Sequence, residues 1–155
     1  MIDKPGVDER VLAAEVAAAW AVDIADLLFM PVGLDGNAWA HRVDTSDGER
    51  YFLKLRRGEF TRAAVRLPGF LRAQGVRQAV APIDLSGGGA GRGFGDHQLL
   101  LYPFHAGGSL WSRGLTDRQW IEYGEFLGRL HVPLPSDRCL AMGSMTAERE
   151  IAGEE

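Results

Sequence analysis

The sequence predicts an α+β fold: a five-stranded antiparallel sheet flanked by helices. Three observations point to it. Strand-length apolar runs recur between turn signals, amphipathic helical stretches stand among them, and the two predicted strands around the glycine-rich run are joined without a helical crossover. The predicted order is helix, three strands, helix, two strands, linker, helix. At 155 residues the chain has the size of one domain and can bury a real core.

Asp8 can cap a first helix running to about Trp20, with Leu12, Val16 and Trp20 at i, i+4 and i+8 on one face. "DLLFMPVG" reads as a short strand, and Gly33-Leu34-Asp35-Gly36 as a turn. Asn37 to Asp44 is a second strand, closed by the turn signal Ser46-Asp47-Gly48. "RYFLKLR" is a third; Tyr51, Leu53 and Leu55 point one way while Phe52, Lys54 and Arg56 point the other.

"EFTRAAVRLPGFLRAQG" follows as a helical stretch stopped by Gly75, with Pro68 predicted to kink or divide it. "QAVAPIDL" is the predicted fourth strand and "DHQLLLYPF" the fifth. Between them lies "GGGAGRGFG". It lacks the Lys-Ser or Lys-Thr of a Walker loop, and no glycine triplet in it has the dinucleotide spacing. It reads as a long hairpin loop, in which Arg92 is the one side chain that could touch a ligand. "AGGSLWSRG" is a linker. Thr116 caps a last helix, "DRQWIEYGEFLGRLH", with Trp120, Ile121, Phe126, Leu127 and Leu130 as apolar anchors. From Pro133 the pattern fades.

A formal charge of −4, with scattered arginines, offers no attraction to nucleic acid or an acidic membrane surface. Cys139 is the only cysteine, so no internal disulfide or cysteine-based metal cluster can form. The polar N-terminus has no signal-peptide pattern, and the most apolar run is too short to span a bilayer. The expectation is a cytoplasmic, soluble domain. The four histidines have no metal-ligand spacing, so no metal site is expected.

"GLDGNAWAHRV", "YFLKLRRG", "IDL", "LLLYPFHAGGSLW" and "LGRLH", in that order, resemble the N-terminal half of the aminoglycoside phosphotransferase family. The likeness is nearest to the branch that phosphorylates spectinomycin and related small molecules. It implies a protein-kinase-like N-lobe over residues 1–104, a hinge linker and first C-lobe helix over 105–134, and a polar tail from a truncated C-lobe over 135–155. It also implies ATP as phosphoryl donor, with Mg²⁺ in the complete enzyme, and a hydroxyl of an antibiotic or metabolite as acceptor.

By the same resemblance, Lys54 gives its charge to the α- and β-phosphates and Phe52 lines the adenine pocket. A lysine on a solvated sheet face would look the same from sequence alone. Gly36 and Asn37 stand where the loop over the phosphates belongs, although a Gly-Asn turn suits any hairpin. The Tyr102 carbonyl would accept from the adenine amino group, the Phe104 amide would donate to the ring, and Leu101 would sit behind the base.

Two departures from the family pattern stand out. The helix after the strand lysine offers Thr61, Arg62 and Arg66, leaving Glu59 as the one acidic candidate to pair with Lys54. No histidine starts a His-x-Asp-x-x-x-x-Asn loop and no Asp-Phe-Gly occurs, so no residue is assigned a catalytic role; His131 reads as packing or capping. The reading is an ATP-binding N-lobe, inactive alone, whose C-lobe could lie on another chain and whose exposed apolar cleft favours self-association. The rival is a non-catalytic binding or interaction domain that retains the sheet.

Overall fold

A computed structural model describes residues 3–58, 62–107 and 114–130. The chain divides into two compact units, Met1–Gly108 and Ser109–Glu155.

In the first unit, α1 (Glu9–Trp20) starts where the Asp8 carboxylate accepts from the amides of Arg10 and Val11, at 2.8 and 3.3 Å. These bonds satisfy two of the N–H groups that a helix start leaves without a partner. Leu12, Val16 and Trp20 are its buried residues. The strands are β1 (Ile24–Met30), β2 (Ala38–Thr45), β3 (Arg50–Arg57), β4 (Arg92–Phe94) and β5 (His97–Pro103). They form one sheet in the order β1-β2-β3-β5-β4, antiparallel throughout. α2 (Arg62–Ala73) lies between β3 and β4 in the chain.

Residues directly opposite in an antiparallel pair share a face, so the registers sort the sheet into two surfaces. On one, Val43, Leu53, Leu55, Leu99 and Leu101 pack with Leu12, Val16 and Trp20 of α1. On the other, Met30, Ala40, Lys54 and Leu100 make one row across four strands, and Leu28, Arg42, Phe52 and Tyr102 make the next. The predicted split of β3 into Leu53 and Leu55 against Phe52 and Lys54 is what the sheet shows.

The five-stranded antiparallel sheet is as expected, but its fourth strand is not 78–85. That place is taken by Arg92–Phe94, inside the glycine-rich run, which pairs with Leu99, Gln98 and His97 of β5. The 78–85 segment is left out of the ladder for a physical reason. Pro82 has no N–H to give, and the polar groups of Ile83 are used separately. Its amide donates to the Leu101 carbonyl at 2.7 Å, and its carbonyl accepts from the Trp20 indole at 2.9 Å. The glycine run is therefore not one long loop. Its first part is a turn in which the Leu85 amide reaches the Gly89 carbonyl, with Gly88 and Gly89 at φ 89° and 83°. Its last part is β4, returned to β5 through Gly95 and Asp96.

α2 runs through Pro68 without being divided. It closes at Gly75, whose φ is 87°. The Gly75 amide reaches the Arg72 carbonyl and the Val76 amide the Leu71 carbonyl, both at 3.0 Å. This paired closure needs a left-handed residue after the helix, which glycine adopts at no steric cost.

In the second unit, α3 (Asp117–Leu130) opens on a reciprocal cap: the Thr116 amide donates to the Gln119 side chain, and the Gln119 amide to the Thr116 hydroxyl. Trp120, Tyr123 and Phe126 stack along it, with ring centroids 6.2 Å apart at each step. Among the described residues no helix is long and apolar enough to cross a membrane.

Candidate functional site

Because β3 alternates, placing Leu53 and Leu55 in the core forces Phe52 and Lys54 onto the opposite surface. There they line a cleft of about 450 Å³, together with Met30, Val80 and the segment from Tyr102 to His105. That volume is in the range of small-molecule sites. The Phe52 and Tyr102 rings meet edge to face across the β3–β5 pair, with centroids 6.4 Å apart and planes inclined by 63°. Burial raises the Tyr102 phenol above its ordinary pKa, so it stays a neutral hydrogen-bonding group. The cleft thus joins the Lys54 cation, an edge-to-face aromatic pair and the backbone leaving β5.

Three of the remaining expected residues have other surroundings. Leu101 is fully buried in the core against α1, on the face opposite Lys54. It does not line the cleft. Tyr102 does, and residues one apart in a strand cannot both point the same way. The residue across from Lys54 is Leu100. Gly36 is exposed, and a Cβ there would meet nothing within 4 Å. The Asn37 amide donates to the Asp35 carboxylate at 2.9 Å, and the Ala38 amide to the Asp35 carbonyl at 3.1 Å. Both are committed to the turn, so the loop offers no amide at these two positions.

The backbone at the end of β5 also has a definite direction. In an antiparallel strand the N–H and C=O of one residue point to the same side, and successive residues alternate. The Leu101 carbonyl points away from β3, to Ile83, whereas the Phe104 amide points towards β3 and donates to the Arg50 carbonyl at 3.3 Å. By this alternation the Tyr102 carbonyl is directed to β3 as well, and the Pro103 carbonyl is turned to the outer side. Neither hinge group expected to meet a base is aimed outward.

Sequence reasoning missed Met30, Val80, Pro103, His105 and Gly107 as lining residues. Strand alternation from Tyr102 could have pointed to Leu100, but Met30 and Val80 reach the cleft only through tertiary register. Glu59 and Thr61, His131 and Cys139 lie outside the described residues. Among the described residues no group of three or more histidines, cysteines, aspartates or glutamates stands together to hold a metal ion.

No protein-family model matches the sequence, and no curated protein matches it. Solved structures do. Spectinomycin phosphotransferase APH(9)-Ia, in complex with ADP and spectinomycin, superposes with a TM-score of 0.74 at 22% identity, over 86% of this chain. Its AMP-bound complex gives 0.69 at 19% identity. Amicoumacin kinase hAmiN, in complex with AMP-PNP, Ca²⁺ and Ami, gives 0.52 at 15% identity over 74% of this chain. This chain spans about 40% of the length of the spectinomycin enzyme and 34% of the amicoumacin enzyme. At these identities the likeness is one of fold, and the fold is the kinase-like N-terminal lobe of spectinomycin phosphotransferase.

Proposed function

We propose that the cleft binds the adenine and phosphates of ATP. On this reading the chain is the nucleotide-holding part of a phosphotransferase acting on a hydroxyl of a small molecule of the antibiotic type. One observation carries the reading: Lys54, the Phe52–Tyr102 pair and the backbone leaving β5 line a single cleft on one face of the sheet. The solved structures of the same fold, with ADP, AMP or AMP-PNP, support it.

Each group has a task that its chemistry suits. Lys54 places a positive charge at the phosphates, which are otherwise the costly part of a polyanion to take from water. Phe52 and Tyr102 give an aromatic surface for the base. The Pro103 carbonyl, on the outer side of the strand, accepts from the adenine amino group, and the His105 amide, two residues on, donates to the ring. This replaces the Tyr102 and Phe104 pair, because strand parity turns those groups to β3. Bound ATP supplies the transferable phosphoryl group and Mg²⁺ neutralises its charge; this chain binds and orients. Turnover on this reading requires a second lobe carrying the acceptor-orienting aspartate and the metal carboxylates.

The test is binding of ADP and adenosine by calorimetry. With one wall of the site in hand, ADP should bind at about 0.1–1 mM. Lys54→Ala should weaken ADP by about tenfold and leave adenosine within about twofold, since only ADP carries the charge that Lys54 meets. Equal losses for both ligands would remove Lys54 from the phosphate site.

A further inference from the structure

The glycine-rich turn has a use that the nucleotide cleft does not absorb. A second cavity, of about 370 Å³, lies between α1 and this turn, lined by Ala18 and Ala19, by Leu85 to Gly88, and by Arg92. Arg92 pairs with Leu99, a core residue, so its side chain stands on the α1 face, opposite the row of Lys54 and Leu100. The two cavities open on opposite surfaces of the sheet.

Its walls are fixed. The Ser86 amide and hydroxyl both donate to the Ala19 carbonyl, at 3.0 and 3.2 Å, which ties the turn to the end of α1. Arg92 donates through Nε to the Glu15 carboxylate. A guanidinium has five donors in a planar fork, so the terminal nitrogens remain for a second oxyanion. Gly87 is informative in a different way. Its φ is not in the left-handed region, and a Cβ built on it would meet nothing within 4 Å. Neither conformation nor neighbouring protein requires glycine at this lining position, so a side chain can be added at the cavity without a clash.

The geometry points to a second ligand site, on the α1 face, for a small carboxylate monoanion with a short apolar body. Its head is read by the Arg92 terminal nitrogens and its body by Ala18, Ala19 and Leu85. Glu15 decides the charge. It is already paired with Arg92, so it repels any anion bound there, and a monoanion meets about half the repulsion that a dianionic phosphate does.

The experiment is amide and arginine side-chain NMR of the full chain, titrated with butyrate and, separately, with inorganic phosphate. Saturable butyrate shifts are expected at Ser86 to Gly88 and at Arg92 Nε–H. They should weaken at least about tenfold in Arg92→Gln and in Gly87→Leu, the loss expected for a charge-assisted contact, and persist in Lys54→Ala. Gly87→Leu tests cavity occupancy and Arg92→Gln the charge, so one informative variant remains if the other does not fold. Absence of saturable shifts, shifts confined to the other cleft at Phe52, Lys54 and Tyr102 to His105, an unchanged titration in Arg92→Gln, or phosphate binding as tightly as butyrate would each overturn the proposal.

Discussion

The Trp20 indole nitrogen, at the end of α1, donates to the Ile83 carbonyl at 2.9 Å, and Ile83 in turn donates to Leu101 of β5. This pair of bonds holds a segment that has no ladder of its own against both the helix and the sheet. Trp20→Phe keeps much of the apolar contact but leaves the Ile83 carbonyl without its donor. A loss of about 2–3 kcal/mol is expected, from the unmade hydrogen bond plus the smaller ring. Urea unfolding measures it, and faster exchange of the Ile83 amide should accompany it.

Ala21 closes α1 at φ 54°, the one non-glycine residue with positive φ among the described residues. Its Cβ crowds the following carbonyl in that conformation, at a cost of about 1–2 kcal/mol. Ala21→Gly removes the crowding and gives back part of it as unfolded-chain entropy. The melting temperature should rise by a few degrees, with nucleotide binding unchanged; a fall would show that the left-handed closure is not retained in solution.

Leu101 and Phe52 should separate stability from binding. Leu101 is fully buried against α1, so Leu101→Ala should cost about 2–5 kcal/mol. Phe52 is only partly buried on the cleft surface. Phe52→Ala should cost less in unfolding, yet weaken adenosine and ADP alike because both carry the base. Denaturation and calorimetry on the two variants give the comparison, and a larger stability loss from Phe52→Ala would reverse the assignment of faces.

His41 makes the sheet sensitive to acid. It is wholly buried beside Phe29, its ring nitrogens have no hydrogen-bond partner, and its Nε2 lies 3.9 Å from Glu9, which Lys4 holds at 2.8 Å. Burial lowers its pKa to about 4; Glu9 opposes the shift and Lys4 adds to it. The folded state therefore binds fewer protons than the unfolded chain between that value and the ordinary 6.5. The stability is fully present above the upper value and is lost as pH falls through the window. About 2 kcal/mol should disappear between about pH 7 and pH 5. His41→Phe should flatten this part of a urea-midpoint profile.

Phosphoryl transfer by the 155 residues alone should stay at background with spectinomycin or any sugar hydroxyl. Catalysis in such sites is positioning plus electrostatic stabilisation, and the motifs that supply the oriented nucleophile and the metal carboxylates are missing together from this sequence. Coupled detection of ADP release is the assay. Turnover abolished by Lys54→Ala would demand a catalytic carboxylate, for which Asp84 and Asp96 would be tested first.

What the sequence determined by itself is local. Asp8 and the i, i+4, i+8 spacing of Leu12, Val16 and Trp20 suffice to start α1 and choose its buried face, because both act within a few turns of chain. The period of two in "RYFLKLR" suffices to put Phe52 and Lys54 on the surface opposite Leu53 and Leu55. Tertiary structure decided the rest. "RGF" and Ile83 meet different stretches of the same edge of β5, His97 to Leu99 and Leu101, and Ile83 is also held by Trp20, 63 residues away in the chain. Whether Leu100 or Leu101 faces the cleft, and whether Tyr102 or Pro103 turns its carbonyl outward, is likewise a matter of register against β3. A shift of one residue reverses every side chain and every carbonyl in a strand, and only the partner strand fixes that choice.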